Sequence, residues 1–338
     1  MPILEDRHDL GHAVEADTAW SESYYFNGYD QRSDTGLFTR IGYRPNEGTV
    51  DVGLSVWLPD GDLAEYRVRE PHEAAPGGAL GVGGVRYERV EPMATWRVSM
   101  AGDAVARPCE RDAAGERDAA GERRVRLELD LTFEAITPPI GTDGERGSGP
   151  RSSEAAAAAR TVGRGHFEQA GAWRGSVAID GHRIEWDGAL GNRDKSWGPR
   201  RWGGPRMWRW FSINVDPTLH MGGIRIGTEA GDLHRGWVWD MGRATSIAEW
   251  RVRTELADDA LTQRVVHLEV LDKSGRVYDL RGDVLRVADI GRAGGTVVNE
   301  GLARWSCPGP DGGARAGYGI CEYLHQLDDA GRPLVVVD

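Results

Sequence analysis

The sequence predicts a nearly all-β chain built from two antiparallel sheet domains, and three observations carry that expectation. Short runs that alternate apolar and polar residues recur along the chain with turn signals between them. Glycine is 47 of 338 residues, about 14% against a usual figure near ~7%, which points to many tight turns. No βαβ alternation is visible, which argues against Rossmann and TIM architectures. At 338 residues the chain also exceeds the size at which one hydrophobic core keeps growing, so two domains are expected.

Each element follows from the same pattern. Val125 to Phe133 alternates without a break, as a strand with one face on a core and one in water does. Shorter versions are Trp96, Val98 and Met100; Ile184 and Trp186; Ile224 and Ile226; Trp250, Val252 and Thr254; and His267 to Leu271. Turns are expected at Pro59 to Gly61, Ile179 to His182 and Lys273 to Gly275. Gly81 to Gly84 lacks the spacing of a dinucleotide-binding loop and is expected to be an ordinary loop. Ser152 to Arg160, with Ser at the N-cap and an alanine run, is the best helix candidate. The tandem RDAAGE between Arg111 and Glu122 reads as a duplicated hairpin tip. The Gly- and Pro-rich break from Trp197 to Pro205 divides the strands into two blocks, so the domains are expected at 1–200 and 201–338.

Composition excludes several classes of function. A formal charge of −12 without a basic stripe removes the driving force for binding phosphate backbones, so nucleic acid is not an expected partner. No stretch approaches 18 apolar residues and the start is acidic, so neither a membrane span nor a signal peptide is expected, and the protein is expected in the cytoplasm. Cys109, Cys307 and Cys321 form no CxxC pair and are expected as reduced thiols. His182, His220, His234, His267 and His325 show no metal-ligand rhythm, so metal-free chemistry is the expectation.

The chemistry-bearing residues concentrate between Glu185 and Trp202. There alternation gives way to Gly188 and Gly191, and Arg193, Asp194 and Lys195 crowd between apolar groups as a bulged strand end would place them. Asp194 is either a proton donor at the mouth of a pocket or a member of a buried ion-pair network with Arg193. Downstream, Trp208 and Trp210, then Trp237 and Trp239, are spaced i and i+2, which puts each pair on one face of a strand. Two adjacent strands of this kind would form an indole wall for an apolar ligand, although a sandwich core explains either pair alone. Asp240 follows the second pair, and Tyr24 and Tyr25 add aromatic surface.

Gly188 to Gly198, preceded by Glu22 to Phe26 and Pro45 to Gly48 and followed by Gly317 to Leu324, resembles the carotenoid 1,2-hydratase (hydroxyneurosporene synthase) and AttH-like superfamily over nearly the whole chain. Distant relatives of that superfamily include fungal decalin-forming Diels–Alderases. The resemblance implies tandem lipocalin-like β domains with a ligand cavity and, for the hydratases, cofactor-free protonation of an isolated alkene followed by attack of water. Asp194, Trp197 and Gly198 match the family's Asp-His-x-Trp-Gly stretch, whereas Lys195 stands where that stretch has His. The expected activity is thus a hydratase, dehydratase or cyclase acting on a hydrophobic isoprenoid, steroid or polyketide-like molecule. Asp194, Asp240 and Lys195 would be catalytic, with Trp197, Trp202, Trp208, Trp210, Trp237, Trp239, Tyr24 and Tyr25 as substrate-binding residues and neither cofactor nor metal. The alternatives are a non-catalytic carrier of an apolar ligand and a pericyclase. The oligomeric state is left open.

Overall fold

The computed structural model describes residues 4–72, 80–109, 121–144, 163–201, 203–229, 231–309 and 312–335. The helix expected over 152–160, the RDAAGE repeat up to residue 120 and Trp202 lie outside them. The described chain forms two compact units, one ending at Arg200 and the other beginning at Arg201. No α-helix occurs among the described residues. Hence none is long and apolar enough to cross a membrane.

The first unit holds β1 Trp20–Asp30, β2 Thr35–Arg44, β3 Thr49–Trp57, β4 Asp62–Pro71, β5 Leu80–Val82, β6 Val85–Glu91, β7 Thr95–Pro108, β8 Arg123–Ala135, β9 Ile140–Thr142, β10 Gly165–Ile179 and β11 His182–Pro199. They form one sheet in the order β4-β3-β2-β1-β11-β10-β8-β7-β6-β5, with β9 beside β10. An added β4–β7 pairing returns the sheet on itself, so eight strands make a ring. The second unit holds β12 Met207–Asp216, β13 Leu219–Thr228, β14 Gly231–Asp240, β15 Arg243–Leu256, β16 Gln263–Asp272, β17 Val277–Ala293, β18 Thr296–Pro308 and β19 Ala314–Gln326. These close in sequence order into an eight-stranded barrel. Every strand pairing among the described residues is antiparallel, and strands consecutive in sequence, such as β12 and β13, are joined by short turns.

Alternation drives the packing. In β8, Val125, Leu127, Leu129, Leu131 and Phe133 are buried while most of the residues between them face solvent. Asp180 and Gly181, both at positive φ, make the two-residue turn that pairs β10 with β11. The stretch Gly81 to Gly84 is not the loop expected of it: Gly81 and Val82 belong to β5, and Gly83 with Gly84 turns the chain into β6. The break expected from Trp197 also starts later, because β11 runs to Pro199.

The tryptophan excess is largely core. Trp96, Trp173 and Trp186 fill the first unit around Phe26, whose ring centroid lies 5.2 Å from that of Tyr87 and 5.7 Å from that of Trp173. Trp250 and Trp305 do the same in the second unit around Phe211. Fully burying such a ring removes a large apolar area from water, about 25 cal/mol per Å².

Candidate functional site

Strand β11 carries the densest polar segment, and a one-residue bulge decides where its side chains point. Trp173 pairs with Ala189 whereas Arg174 pairs with Asp187, so Gly188 is the extra residue. Before it Ile184 and Trp186 pack on the first core; after it Ala189 does. Inward positions thereby switch from even to odd numbers, and Arg193, Lys195 and Trp197 turn inward while Asp194 and Ser196 turn outward. Asp194 and Lys195, expected side by side, lie on opposite faces of one strand. Tyr24 and Tyr25 are parted in the same way, because they pair with Lys195 and Asp194 respectively.

On the inner face, the N-terminal segment meets β11. Lys195 is fully buried, its Nζ 2.8 Å from Glu22 Oε1, and it donates to the carbonyls of His8 and Leu10. The ammonium sits 4.9 Å from the ring centroid of Tyr24 and 5.3 Å from that of Trp197. His12 bonds to Glu22 at 2.8 Å and stacks on Trp197 with centroids 3.9 Å apart. Burial pulls the Lys195 ammonium down to about 8 against the opposing charge of Glu22. Arg193 pairs with Asp9 at 2.8 Å, which is where the sequence left Asp194 as an alternative partner. Lys195 thus spends its donors holding chain to chain.

The outer face is organised in rows. Arg40, Tyr25, Asp194 and Glu168 are successive cross-strand partners on β2, β1, β11 and β10. The next row is Gly42, Ser23, Ser196 and His166. Ser23 and Ser196 share a 2.9 Å hydrogen bond, and Arg200 donates to Ser196 at 3.0 Å. Directly opposed carboxylates repel unless a cation or a proton lies between them. His166 Nε2 lies 3.0 Å from Glu168 Oε1. Burial disfavours the imidazolium, but the Glu168 hydrogen bond and then the Asp194 charge outweigh it and raise the His166 pKa above its ordinary value.

Two neighbours of this array have buried polar atoms that meet no partner among the described residues. Arg40 donates one N–H to Asp51 at 3.2 Å, while its Nε and Nη2 are buried without an acceptor. Asn192, only 1% exposed, leaves both side-chain amide atoms unmatched. Each such group costs about 1–3 kcal/mol in a folded protein. Arg40, Glu168, His166 and Asn192 escaped the sequence reading. His166 and Glu168 signal only a strand face, since the register that brings them to Asp194 is set across 26 or more residues of chain.

In the second unit, Trp208 and Trp210 on β12 and Trp237 and Trp239 on β14 share the outer face of the barrel, opposite core residues Phe211 and Val238. The two pairs are not on adjacent strands as expected: β13 lies between them and presents Gly222 opposite Trp237. Trp208 donates to Glu322 at 2.6 Å. His220, on this face, bonds Asn214 through Nδ1 at 2.8 Å, and burial drops its pKa to about 4. Asp240 belongs elsewhere, in an ion pair with Arg276 and within 3.5 Å of the Tyr278 hydroxyl. An open groove of about 700 Å³ on β15 to β18 holds none of the expected site residues. Of its charged groups, Arg251 is paired with Glu269, Arg281 with Asp283 and His267 with Glu255. Among the described residues no cluster of three His, Cys, Asp or Glu could hold a metal ion.

Comparison with solved structures finds the same fold at low identity. An AttH-type protein of Nitrosomonas europaea superposes with a TM-score of 0.60 at 15% identity, covering 92% of this chain and 97% of that one. Kievitone hydratase of Nectria haematococca gives 0.57 at 13%, covering 91% and 89%. CghA, solved with Sch210972, gives 0.57 at 13%, covering 95% of each chain. No curated protein matches the sequence. The family described as Domain of unknown function (DUF7064) matches residues 5–327, nearly the whole chain, and this protein belongs to it.

Proposed function

We propose that the chain is a cofactor-independent hydratase, dehydratase or cyclase for an apolar substrate, working by acid–base catalysis at the outer face of the first unit. The observation that carries this reading is the row Tyr25, Asp194, Glu168 with His166 bonded to its end. A pair of opposed carboxylates with an imidazole bonded to one of them can both give and take a proton, which is what moving water on or off a carbon requires. His166 supplies the imidazole that Lys195, standing at the family's His position, does not. The likeness to a hydratase fold fits the chemistry. The two units serve as domains 1–200 and 201–338. The free, buried Cys307 and Cys321 fit a reducing compartment, so the cytoplasm belongs to the proposal.

The test begins with native mass spectrometry of the protein purified from its source, to identify a retained molecule, followed by turnover of that molecule in ¹⁸O-water. Asp194→Asn is expected to lower turnover about 10²–10⁴-fold. Full turnover in that variant would sink the assignment, and activity that survives loss of both Asp194 and Asp240 would point to a pericyclase.

A further inference from the structure

The proposed reaction leaves open whether the substrate is a bare hydrocarbon or an oxygenated molecule. We propose that it is oxygenated: a carbonyl conjugated to the reacting carbon docks on Arg40, one cross-strand step from Tyr25 and two from Asp194. This deepens, and rests on, the acid–base reading of that same face.

Three observations carry it. The Arg40 guanidinium folds back over Gly42, where an added Cβ would fall 2.7 Å from Cζ, so the chain has made room for the head group beside Ser23. Of its donors only Nη1 reaches a carboxylate, Asp51, and that carboxylate also has Arg44 as partner. Two nitrogens, Nε and Nη2, are therefore buried without an acceptor among the described residues. On the other flank of Asp194, two residues along β11, the Asn192 amide is likewise buried and unmatched at both atoms. A hydrocarbon would leave all of these groups buried and unsatisfied when it bound, whereas a carbonyl oxygen accepts from Arg40 and a hydroxyl or second carbonyl matches Asn192.

The array also fits the chemistry of such a substrate. In dehydration of a β-hydroxy ketone, a carboxylate of the Asp194–Glu168 pair takes the α-proton, and the C–H electron pair moves into an enolate whose oxygen is held by Arg40 Nε–H and Nη2–H. The β C–O bond then breaks as the His166 imidazolium protonates the departing hydroxyl, and one water leaves. The proton now on the carboxyl returns to the imidazole along the His166–Glu168 hydrogen bond. Hydration is the same sequence reversed, and neither direction needs an oxidant or reductant.

The experiment compares benzalacetone with its hydrocarbon counterpart, in which CH₂ replaces C=O, by titration calorimetry on the full chain. The ketone is expected to bind about tenfold more tightly or better. Arg40→Gln and Gly42→Ala are expected to bring the ratio near one, the second because its methyl displaces a flexible guanidinium while the fold is kept. Thermal midpoints of both variants check that they fold. Asp194→Asn is expected to keep the preference while losing turnover, which separates this inference from the acid–base reading. Equal affinity for the two probes, no binding of the ketone, or a preference unchanged in Arg40→Gln and Gly42→Ala overturns it.

Discussion

At the scale of single residues, the site hangs on Gly188. It is the unpaired residue of the β10–β11 bulge, has φ of +81°, and has open space where a Cβ would go. Any cost of a side chain there is therefore backbone strain alone. Gly188→Val is expected to destabilise the protein by about 1–2 kcal/mol, read as a lower denaturation midpoint at unchanged m-value. An unchanged midpoint would mean that the bulge relaxes without cost. The sequence signalled this bulge through its two glycines, yet it could not say how many residues oppose how many. That count alone sends Asp194 outward to Glu168 and His166 rather than inward to Trp186.

At the scale of elements, the N-terminal segment around the short 3-10 turn Asp6–Asp9 acts as a plug for the first unit. It reaches the inner face of β11 through Asp9 and Arg193, through backbone carbonyls and Lys195, and through His12 on Trp197. Asp9 also accepts from the Met93 amide at 2.7 Å and from Trp96 Nε1 at 3.3 Å. Asp9→Ala leaves the buried Arg193 charge without its partner and is expected to cost about 3–5 kcal/mol. Replacing both residues by apolar ones, Asp9→Leu with Arg193→Met, is expected to recover much of that loss in the same denaturation assay. A single variant as stable as the parent would show that the segment does not hold the barrel. None of this was legible locally: a start rich in Asp, Glu and His reads as a solvated terminus, and only its long-range partners make it core.

For the whole molecule, buried histidines set the response to acid. Burial lowers the pKa of His220 to about 4 and that of His325 to about 3, and it lowers His12 and His234 in the same direction. Between the unfolded value near 6.5 and these folded values, the unfolded chain binds more protons, so stability falls as pH falls through that window. At about 1.4 kcal/mol per pKa unit, His220 alone contributes about 3 kcal/mol of this loss. His166 has the opposite sign: its raised pKa gives stability that is present at low pH and lost as pH rises through the folded value. The denaturation midpoint is therefore expected to drop between pH 6.5 and 4, and His220→Gln to flatten the drop. A midpoint that holds or rises on acidification would contradict the burial of these rings.

Several strands, the hairpin turns and the all-β class were legible because alternation and turn chemistry are local properties of neighbouring residues. So were the indole pairs, since i and i+2 share a face whatever the strand's partner is. The tertiary structure decided which face became core, which strands were neighbours, and hence that Asp194 meets Glu168, His166 and Tyr25 while Lys195 meets Glu22 and the N-terminal segment. Register between strands distant in sequence is fixed by the closure of each sheet and by one inserted glycine. Neither leaves a signature in any window of sequence short enough to read by pattern.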